Sequence, residues 1–147
     1  MKALKKHPEY LLYFAFAQAL IATLGSLYFS EIRHLPACIL CWYQRIVMYP
    51  QVLILGTGIV REDKNIIWYA LPLSIIGALV AAYHTALQYG WLPESAATCS
   101  AGISCTEVQI ALFGFITIPL MSFVGFIIIS LSLYLYHRLI SADEEQA

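Results

Sequence analysis

The stretch IIWYALPLSIIGALVAAYHTALQY, residues 66–89, contains no charged side chain apart from a possible proton on His84. About 20 predominantly apolar residues are enough for a helix to cross the hydrocarbon core of a bilayer, so this stretch can span a membrane. The rest of the chain is similar in composition. Of its 147 residues, 61% are hydrophobic and only 12% are charged, whereas an ordinary soluble domain has about 25% charged residues. The composition therefore predicts a protein that is solvated by lipid.

Three other apolar segments accompany this one, and together they predict helices at about 11–29, 42–60, 66–89 and 113–136. The second segment is the weakest of the four because it contains Arg45 and two glutamines. The first is longer than the apolar region of a typical signal peptide and lacks a small-residue cleavage site, so we expect it to remain as a helix. We therefore predict an all-α integral membrane protein in which residues 1–147 form a single four-transmembrane-helix bundle.

Four crossings place both termini on one side of the membrane and the loops at about 30–41 and 90–112 on the other. Lysine and arginine divide unequally between the two sides. On the side of the termini are Lys2, Lys5, Lys6, Arg61, Lys64 and Arg138, and on the other side are Arg33 and Arg45. The positive-inside rule then places both termini in the cytoplasm. The net charge is −1 and there is no basic run, so nothing in the sequence indicates a nucleic-acid partner.

All four cysteines, Cys38, Cys41, Cys99 and Cys105, lie in the outer loops or at their edge. Outside the cytoplasm disulfides form and persist, so two structural disulfides are one interpretation. Rings that close across two or five intervening residues remove little chain entropy, however, and a bundle in lipid has other sources of stability. A four-cysteine zinc site is disfavoured because five residues between Cys99 and Cys105 exceed the usual spacing. We predict no metal site.

Redox chemistry explains the Cys-x-x-Cys better. Cys41 lies near the predicted start of the second helix, where free backbone N–H groups favour an anion, and Arg45 lies one turn further on the same face. Both features favour the thiolate, which is the reactive form of cysteine. The sequence contains no motif for haem, an iron–sulfur cluster or a dinucleotide. A quinone dissolved in the bilayer needs no such motif, and Arg45 could stabilise charge that develops on its carbonyl oxygen.

Four segments of the chain, PACILCWYQR (36–45), HTALQ (84–88), CTEVQ (105–109) and FGFITIP (113–119), resemble the DsbB family of bacterial disulfide bond formation proteins, including its BdbC type. The resemblance implies a multi-pass protein of the bacterial cytoplasmic (inner) membrane with its redox cysteines on the outer face. Its implied activity is a disulfide oxidoreductase that reoxidises an extracytoplasmic, thioredoxin-like thiol–disulfide oxidase of the DsbA/BdbD kind. The electrons would pass to a membrane quinone, either ubiquinone or menaquinone.

The resemblance also implies a role for each site residue. Cys99 would form the mixed disulfide with the partner oxidase, and Cys105 would then exchange with Cys38. Cys41 would contact and reduce the quinone, with Arg45 and His84 beside it. The chain departs from the best-known members because only five residues separate Cys99 from Cys105. That short spacing leaves open which of these two sulfurs faces the partner.

Two alternatives are compatible with four helices and two cysteine pairs. A vitamin K epoxide reductase-like enzyme is one, but in that family the loop pair precedes the Cys-x-x-Cys, whereas here it follows. The other is a non-enzymatic membrane scaffold held by structural disulfides. The scaffold interpretation predicts that Cys41 and Arg45 can be replaced without loss of electron transfer.

Overall fold

The structure is a computed structural model that describes residues 8–93, 104–106, 111–112 and 115–144. Its long helices are α1 (Glu9–Leu27), α2 (Ile39–Arg61), α3 (Ile67–Gln88) and α4 (Ile118–Glu144). A π-helical turn, Tyr28–Ile32, continues α1, and two short antiparallel strands, β1 (Ala111–Leu112) and β2 (Ile116–Thr117), precede α4. The predicted all-α architecture with four helices is therefore confirmed. Cys99 and the three N-terminal lysines lie outside the described residues.

Two helices begin at positions that differ from those predicted. Helix α2 begins at Ile39 rather than near residue 42, because Cys38 has extended backbone angles and its side chain caps the helix. Helix α4 begins at Ile118 rather than near residue 113, because Ile116 and Thr117 pair with β1. Helix α4 also continues to Glu144, beyond its predicted end near residue 136. Capping and strand pairing depend on backbone geometry that apolar content does not reveal.

Three helical segments among the described residues are long and apolar enough to cross a membrane: Glu9–Ile32, Ile67–Gln88 and Ile118–Ala142. The protein is accordingly a multi-pass membrane protein. Helix α2 is less apolar, but its two glutamines do not face outward. Gln44 and Gln51 are buried, whereas Ile46 and Leu53 on its outer face are 61% and 73% exposed. Such an outward apolar face suits lipid better than water.

Small residues bring the helices close together, as is common in membrane bundles. Gly77 of α3 packs directly against the ring of Phe126 in α4. One turn away, the Ser74 hydroxyl donates a hydrogen bond to the Phe126 carbonyl at 3.0 Å, and Ser130 donates to Ser74 at 2.9 Å. These contacts satisfy polar groups that lipid cannot hydrogen-bond. Packing and hydrogen bonds together join α3 and α4.

The two ends of the bundle carry different kinds of side chain. At one end the start of α1, the α2–α3 turn and the last part of α4 meet, and Glu9, Glu62, Lys64 and Tyr136 line a cavity between them. At the other end lie Cys38, Cys41 and Cys105 together with Arg45. The described cysteines are thus all at the end opposite the α2–α3 turn.

Replacement of Gly77 by alanine tests the close approach of α3 and α4. The added methyl group would overlap the Phe126 ring, and overpacking of this kind typically costs about 1–3 kcal/mol. We expect Gly77→Ala to lower the midpoint of thermal unfolding in detergent and a second change, Phe126→Leu, to restore part of the loss. Gly25→Ala is the matched control, because a methyl group there meets nothing within 4 Å. Equal midpoints for the two glycine variants would contradict this packing.

Candidate functional site

The first turn of α2 holds the Cys-x-x-Cys. Cys38 is the N-cap residue, with φ −69° and ψ 169°, and its sulfur accepts the backbone N–H of Cys41 at 3.4 Å. The two sulfur atoms are 3.1 Å apart and form a hydrogen bond. Both cysteines are free thiols, Cys38 buried and Cys41 half-buried. The pair therefore forms part of the helix end itself, where a backbone N–H is available to an anion.

This geometry favours a thiolate at Cys38. The hydrogen bond from the Cys41 side chain is the largest cause that lowers the pKa of Cys38 from 9.0 to about 4, and a smaller contribution comes from His84. Burial acts in the opposite direction and raises the pKa. The backbone N–H of Cys41 donates to the Cys38 sulfur, which stabilises negative charge there. The expectation of a thiolate at Cys41 stays a prediction.

Arg45 is held in place against α1. Its Nη2 donates to the hydroxyl of Ser30 at 2.5 Å and to the carbonyl of Ser26 at 3.5 Å. The guanidinium also lies 5.3 Å from the centre of the Trp42 ring, within the range of a cation–π contact. Ser30 belongs to the π-helical turn Tyr28–Ile32, a type of irregularity often found at functional sites. This turn therefore positions the one cation of α2 that lies near the cysteines.

A cavity of about 340 Å³ lies between α1, α2 and α4 and reaches Cys41 and Arg45. Its size is at the lower end of the range for ligand pockets, about 300–1,000 Å³. Most of its lining is apolar, as a lipid-soluble ligand requires. The described residues that line it include Ile21, Ala22, Phe29, Leu35, Met48, Tyr49, Ile118 and Met121. Cys41 and Arg45 thus place a thiol and a cation on the wall of one apolar cavity.

His84 lies elsewhere. The sequence placed it beside a quinone, but it is not among the described residues that line this cavity. It is 1% exposed, and its Nε2 is 3.6 Å from the Cys38 sulfur and 3.2 Å from the carbonyl oxygen of Cys105. Its Nδ1 is 3.0 Å from the side-chain nitrogen of Gln44. His84 therefore contacts Cys38 and the loop that carries Cys105.

Gln44 is the site residue that the sequence analysis did not single out. It is 6% exposed, lies three residues after Cys41 and contacts both His84 and the cavity. The sequence did contain a signal for Gln44: it is an uncharged polar residue in an apolar helix, three residues after Cys41. Polar groups in membrane segments tend to face the bundle interior, so such a residue is a candidate for the site.

Cys105 lies in the same buried cluster as Cys38, together with Leu40 and Leu87. Cys105 is disulfide-bonded and 1% exposed. The two pairs are thus brought together through Cys38 and Cys105, while Cys41 packs against this cluster and also lines the cavity. Cys99 lies outside the described residues.

Three of these groups could also be metal ligands, since the ligand atoms of Cys38, Cys41 and His84 lie within 4.8 Å of one another. The sulfur–sulfur distance of 3.1 Å is shorter than the about 3.8 Å that tetrahedral zinc with normal bond lengths requires. The His84 nitrogen that would bind the metal also faces the Cys105 carbonyl at 3.2 Å. The arrangement suits a dithiol with a hydrogen-bonding partner better than a metal, and the absence of a metal site stays a prediction.

The charge on Cys38 can be measured. In reduced, ligand-free protein we expect the ultraviolet absorbance of the thiolate at this pair to persist from neutral pH down to about pH 5 and to disappear as the pH falls through about 4, the pKa of Cys38. Cys41→Ala should raise this midpoint, because it removes the side-chain hydrogen bond that is the largest cause of the lowered pKa of Cys38. A single titration near the ordinary thiol value of about 8.5 would contradict the assignment.

Comparison with known proteins identifies the family of the chain. The sequence model of the family "Disulfide bond formation protein DsbB" matches residues 8–136. A "Probable disulfide formation protein C 1" of Bacillus cereus is 47% identical over 126 residues, which cover 86% of this chain and 91% of the relative. A "Probable disulfide formation protein" of Coxiella burnetii is 44% identical over 124 residues, 83% of this chain and 84% of the relative. No solved structure matches the chain significantly. The chain therefore belongs to the DsbB family of disulfide bond formation proteins.

Proposed function

We propose that the chain is a membrane thiol:quinone oxidoreductase that reoxidises an extracytoplasmic, thioredoxin-like disulfide oxidase of the DsbA/BdbD kind. Membership of the family supports disulfide oxidoreductase activity in a membrane. One observation carries the finer proposal: only one sulfur of the Cys-x-x-Cys reaches the apolar cavity. Cys38 is buried with Cys105, whereas Cys41 packs against that cluster and also lines the cavity beside Arg45.

The electrons enter through the second pair. A thiolate of the reduced partner attacks Cys99, which breaks the Cys99–Cys105 bond, and the partner's second thiol completes its own disulfide. The products are an oxidised partner and a reduced Cys99/Cys105 pair. Burial supports Cys99 as the sulfur that the partner attacks, because Cys105 is only 1% exposed and lies behind Leu87 and Leu40.

The second step transfers the electrons inward. The Cys105 thiolate attacks Cys38 of the Cys38–Cys41 disulfide, so a Cys38–Cys105 bond forms and the electron pair of the broken bond leaves on Cys41. The Cys99 thiolate then attacks Cys105 and releases Cys38. The net result is a Cys99–Cys105 disulfide and a Cys38/Cys41 dithiol. Contact between Cys38 and Cys105 in one buried cluster supports this order.

The electrons leave from Cys41. When bound in the cavity, a quinone supplies an acceptor for two electrons and two protons, which is what the Cys38/Cys41 dithiol releases as it closes to a disulfide. Cys41 would reach the acceptor because it forms part of the cavity wall. Arg45, fixed by Ser30, would place a positive charge where negative charge develops on a carbonyl oxygen.

The scaffold alternative is less well supported. It needs two structural disulfides, whereas Cys38 and Cys41 are free thiols joined by a hydrogen bond. A pair that exchanges between dithiol and disulfide requires both sulfurs within reach of one another, and 3.1 Å meets that requirement.

We also propose that all four helices cross the cytoplasmic membrane, with both termini in the cytoplasm and the cysteines at the outer face. The outward apolar residues of α2, Ile46 and Leu53, support a fourth crossing. The orientation is supported by Arg61 and Lys64 in the α2–α3 turn, which lies at the end opposite the cysteines.

Quinone reduction tests the proposed activity. Purified protein is mixed with a reduced thioredoxin-like oxidase and excess quinone, and quinone absorbance is followed with time. We expect Cys41→Ser to abolish the reaction and Arg45→Ala to slow it about tenfold to a hundredfold, because a preorganised cation is lost. Arg33→Ala is the matched control, since Arg33 is an exposed arginine after the π-helical turn and does not line the cavity; its rate should equal that of wild type. No consumption of ubiquinone or menaquinone by wild-type protein would contradict the proposal.

The orientation is tested with a membrane-impermeant thiol reagent. In a variant whose only cysteine is Cys99, we expect labelling in intact cells, because the loop faces outward. A cysteine-free variant with Asn65→Cys is the matched control, since Asn65 is exposed in the α2–α3 turn, and it should be labelled only after lysis. The reverse pattern would invert the topology, and labelling of both positions in intact cells would contradict a membrane crossing by α3, the helix that separates them.

A further inference from the structure

We propose that His84 is a positioning residue that moves one hydrogen bond between the two cysteine pairs. It holds the backbone of Cys105 against Cys38 while Cys38 is in a disulfide, and it stabilises the Cys38 thiolate once that disulfide has been opened. The inference rests on the proposed electron route between the pairs. It gives His84 a place in thiol–disulfide exchange instead of at the quinone.

Gln44 sets the position of the ring proton. An amide nitrogen can only donate a hydrogen bond, and that of Gln44 lies 3.0 Å from Nδ1 of His84. Nδ1 must therefore be the acceptor, which leaves the proton of the neutral ring on Nε2. His84 and Gln44 are 1% and 6% exposed, so bulk water does not compete for this hydrogen bond. The buried pair thus presents a single N–H donor toward the cysteines.

That one donor has two possible acceptors. The Nε2 atom is 3.2 Å from the carbonyl oxygen of Cys105 and 3.6 Å from the sulfur of Cys38. A disulfide sulfur is a weak acceptor, whereas a hydrogen bond to a charged group is roughly twice as strong as one between neutral groups. The preferred acceptor therefore changes with the redox state of Cys38.

The acceptor of the His84 hydrogen bond changes as the exchange reaction proceeds. While the Cys38–Cys41 disulfide is closed, the His84 N–H donates to the Cys105 carbonyl and keeps that residue beside the sulfur it must attack. Attack by the Cys105 thiolate forms the Cys38–Cys105 bond and expels Cys41. Attack by Cys99 on Cys105 then expels Cys38 as a thiolate, which accepts the N–H. Two electrons have moved between the pairs, and no further oxidant is needed.

The surroundings strengthen this interaction. Leu40 and Leu87 form a buried cluster with Cys38 and Cys105, and Tyr83 packs against it. In such an apolar environment a hydrogen bond to a charge is stronger than in water, and a charge without a partner is more costly. The low pKa of Cys38, to which His84 contributes, is consistent with stabilisation of this thiolate.

The partition of electrons between the pairs tests the proposal. Quinone-free protein with both disulfides closed is given one equivalent of dithiothreitol, allowed to equilibrate and quenched with acid. Alkylation and peptide mass spectrometry then report which pair is reduced. We expect most electrons of the wild type on Cys38/Cys41 and a shift of about tenfold toward Cys99/Cys105 in His84→Ala, because the thiolate loses a charge-assisted hydrogen bond.

Three further variants separate the hydrogen bond from packing. His84→Gln keeps an N–H donor at a similar distance along the side chain and should recover most of the wild-type partition. Gln44→Met removes the donor to Nδ1 and should shift the partition in the same direction as His84→Ala, but by less. Thr85→Ala is the matched control: Thr85 is a buried neighbour whose hydroxyl donates only to the Ala81 carbonyl among the described contacts, at 2.8 Å, and its partition should equal that of wild type.

A partition that stays within about twofold of wild type in His84→Ala would overturn the proposal. So would an equal shift in Thr85→Ala, or a His84→Gln variant that behaves as His84→Ala, since both indicate a packing effect. A His84→Ala variant with an unchanged partition and weakened quinone binding would return the residue to the quinone site. Addition of quinone in a second step separates the two proposals: wild-type electrons that never reach quinone contradict the proposed function, even where the partition depends on His84.

Discussion

The hydrogen bonds at the N-terminus of α2 are the interactions on which the rest of the site depends. A helix start leaves backbone N–H groups without intrahelical partners, and the sulfur of Cys38 accepts one of them. That cap turns Cys38 inward, toward Cys105, and leaves Cys41 on the first turn facing the cavity. Two cysteines three residues apart thus contact each other and also face different surroundings. The proposed electron route requires this division.

The division also keeps two reactions apart. On the proposed route, exchange between sulfur atoms takes place in the buried cluster of Cys38 and Cys105, against which Cys41 packs, whereas the quinone binds in the cavity between α1, α2 and α4. On the proposed route, electrons must therefore pass through both pairs in sequence, which prevents the partner from reducing a quinone directly.

Two polar residues of α2 near this end have defined partners. Arg45 donates to Ser30, and Gln44 donates to His84. Lipid supplies no hydrogen bonds, so such groups are retained at a cost unless they pair with one another. Pairing also restricts their geometry, since Ser30 holds the Arg45 guanidinium and Gln44 holds the His84 ring. The same hydrogen bonds that make these residues tolerable in a membrane determine where their donors point.

The amino-acid sequence by itself determined the membrane class, the four helices and the family, because apolar content and the Cys-x-x-Cys with Arg45 one turn later are local features. It also located the cysteine pairs at one end through the order of segments along the chain. Only the tertiary structure decided that α2 begins at Ile39, that the Cys38 sulfur accepts the backbone N–H of Cys41 and that His84 contacts both Cys38 and Cys105. His84 meets Gln44 and Cys38 across separations of 40 and 46 residues. Such distances depend on how α2 packs against α3, which no local pattern specifies.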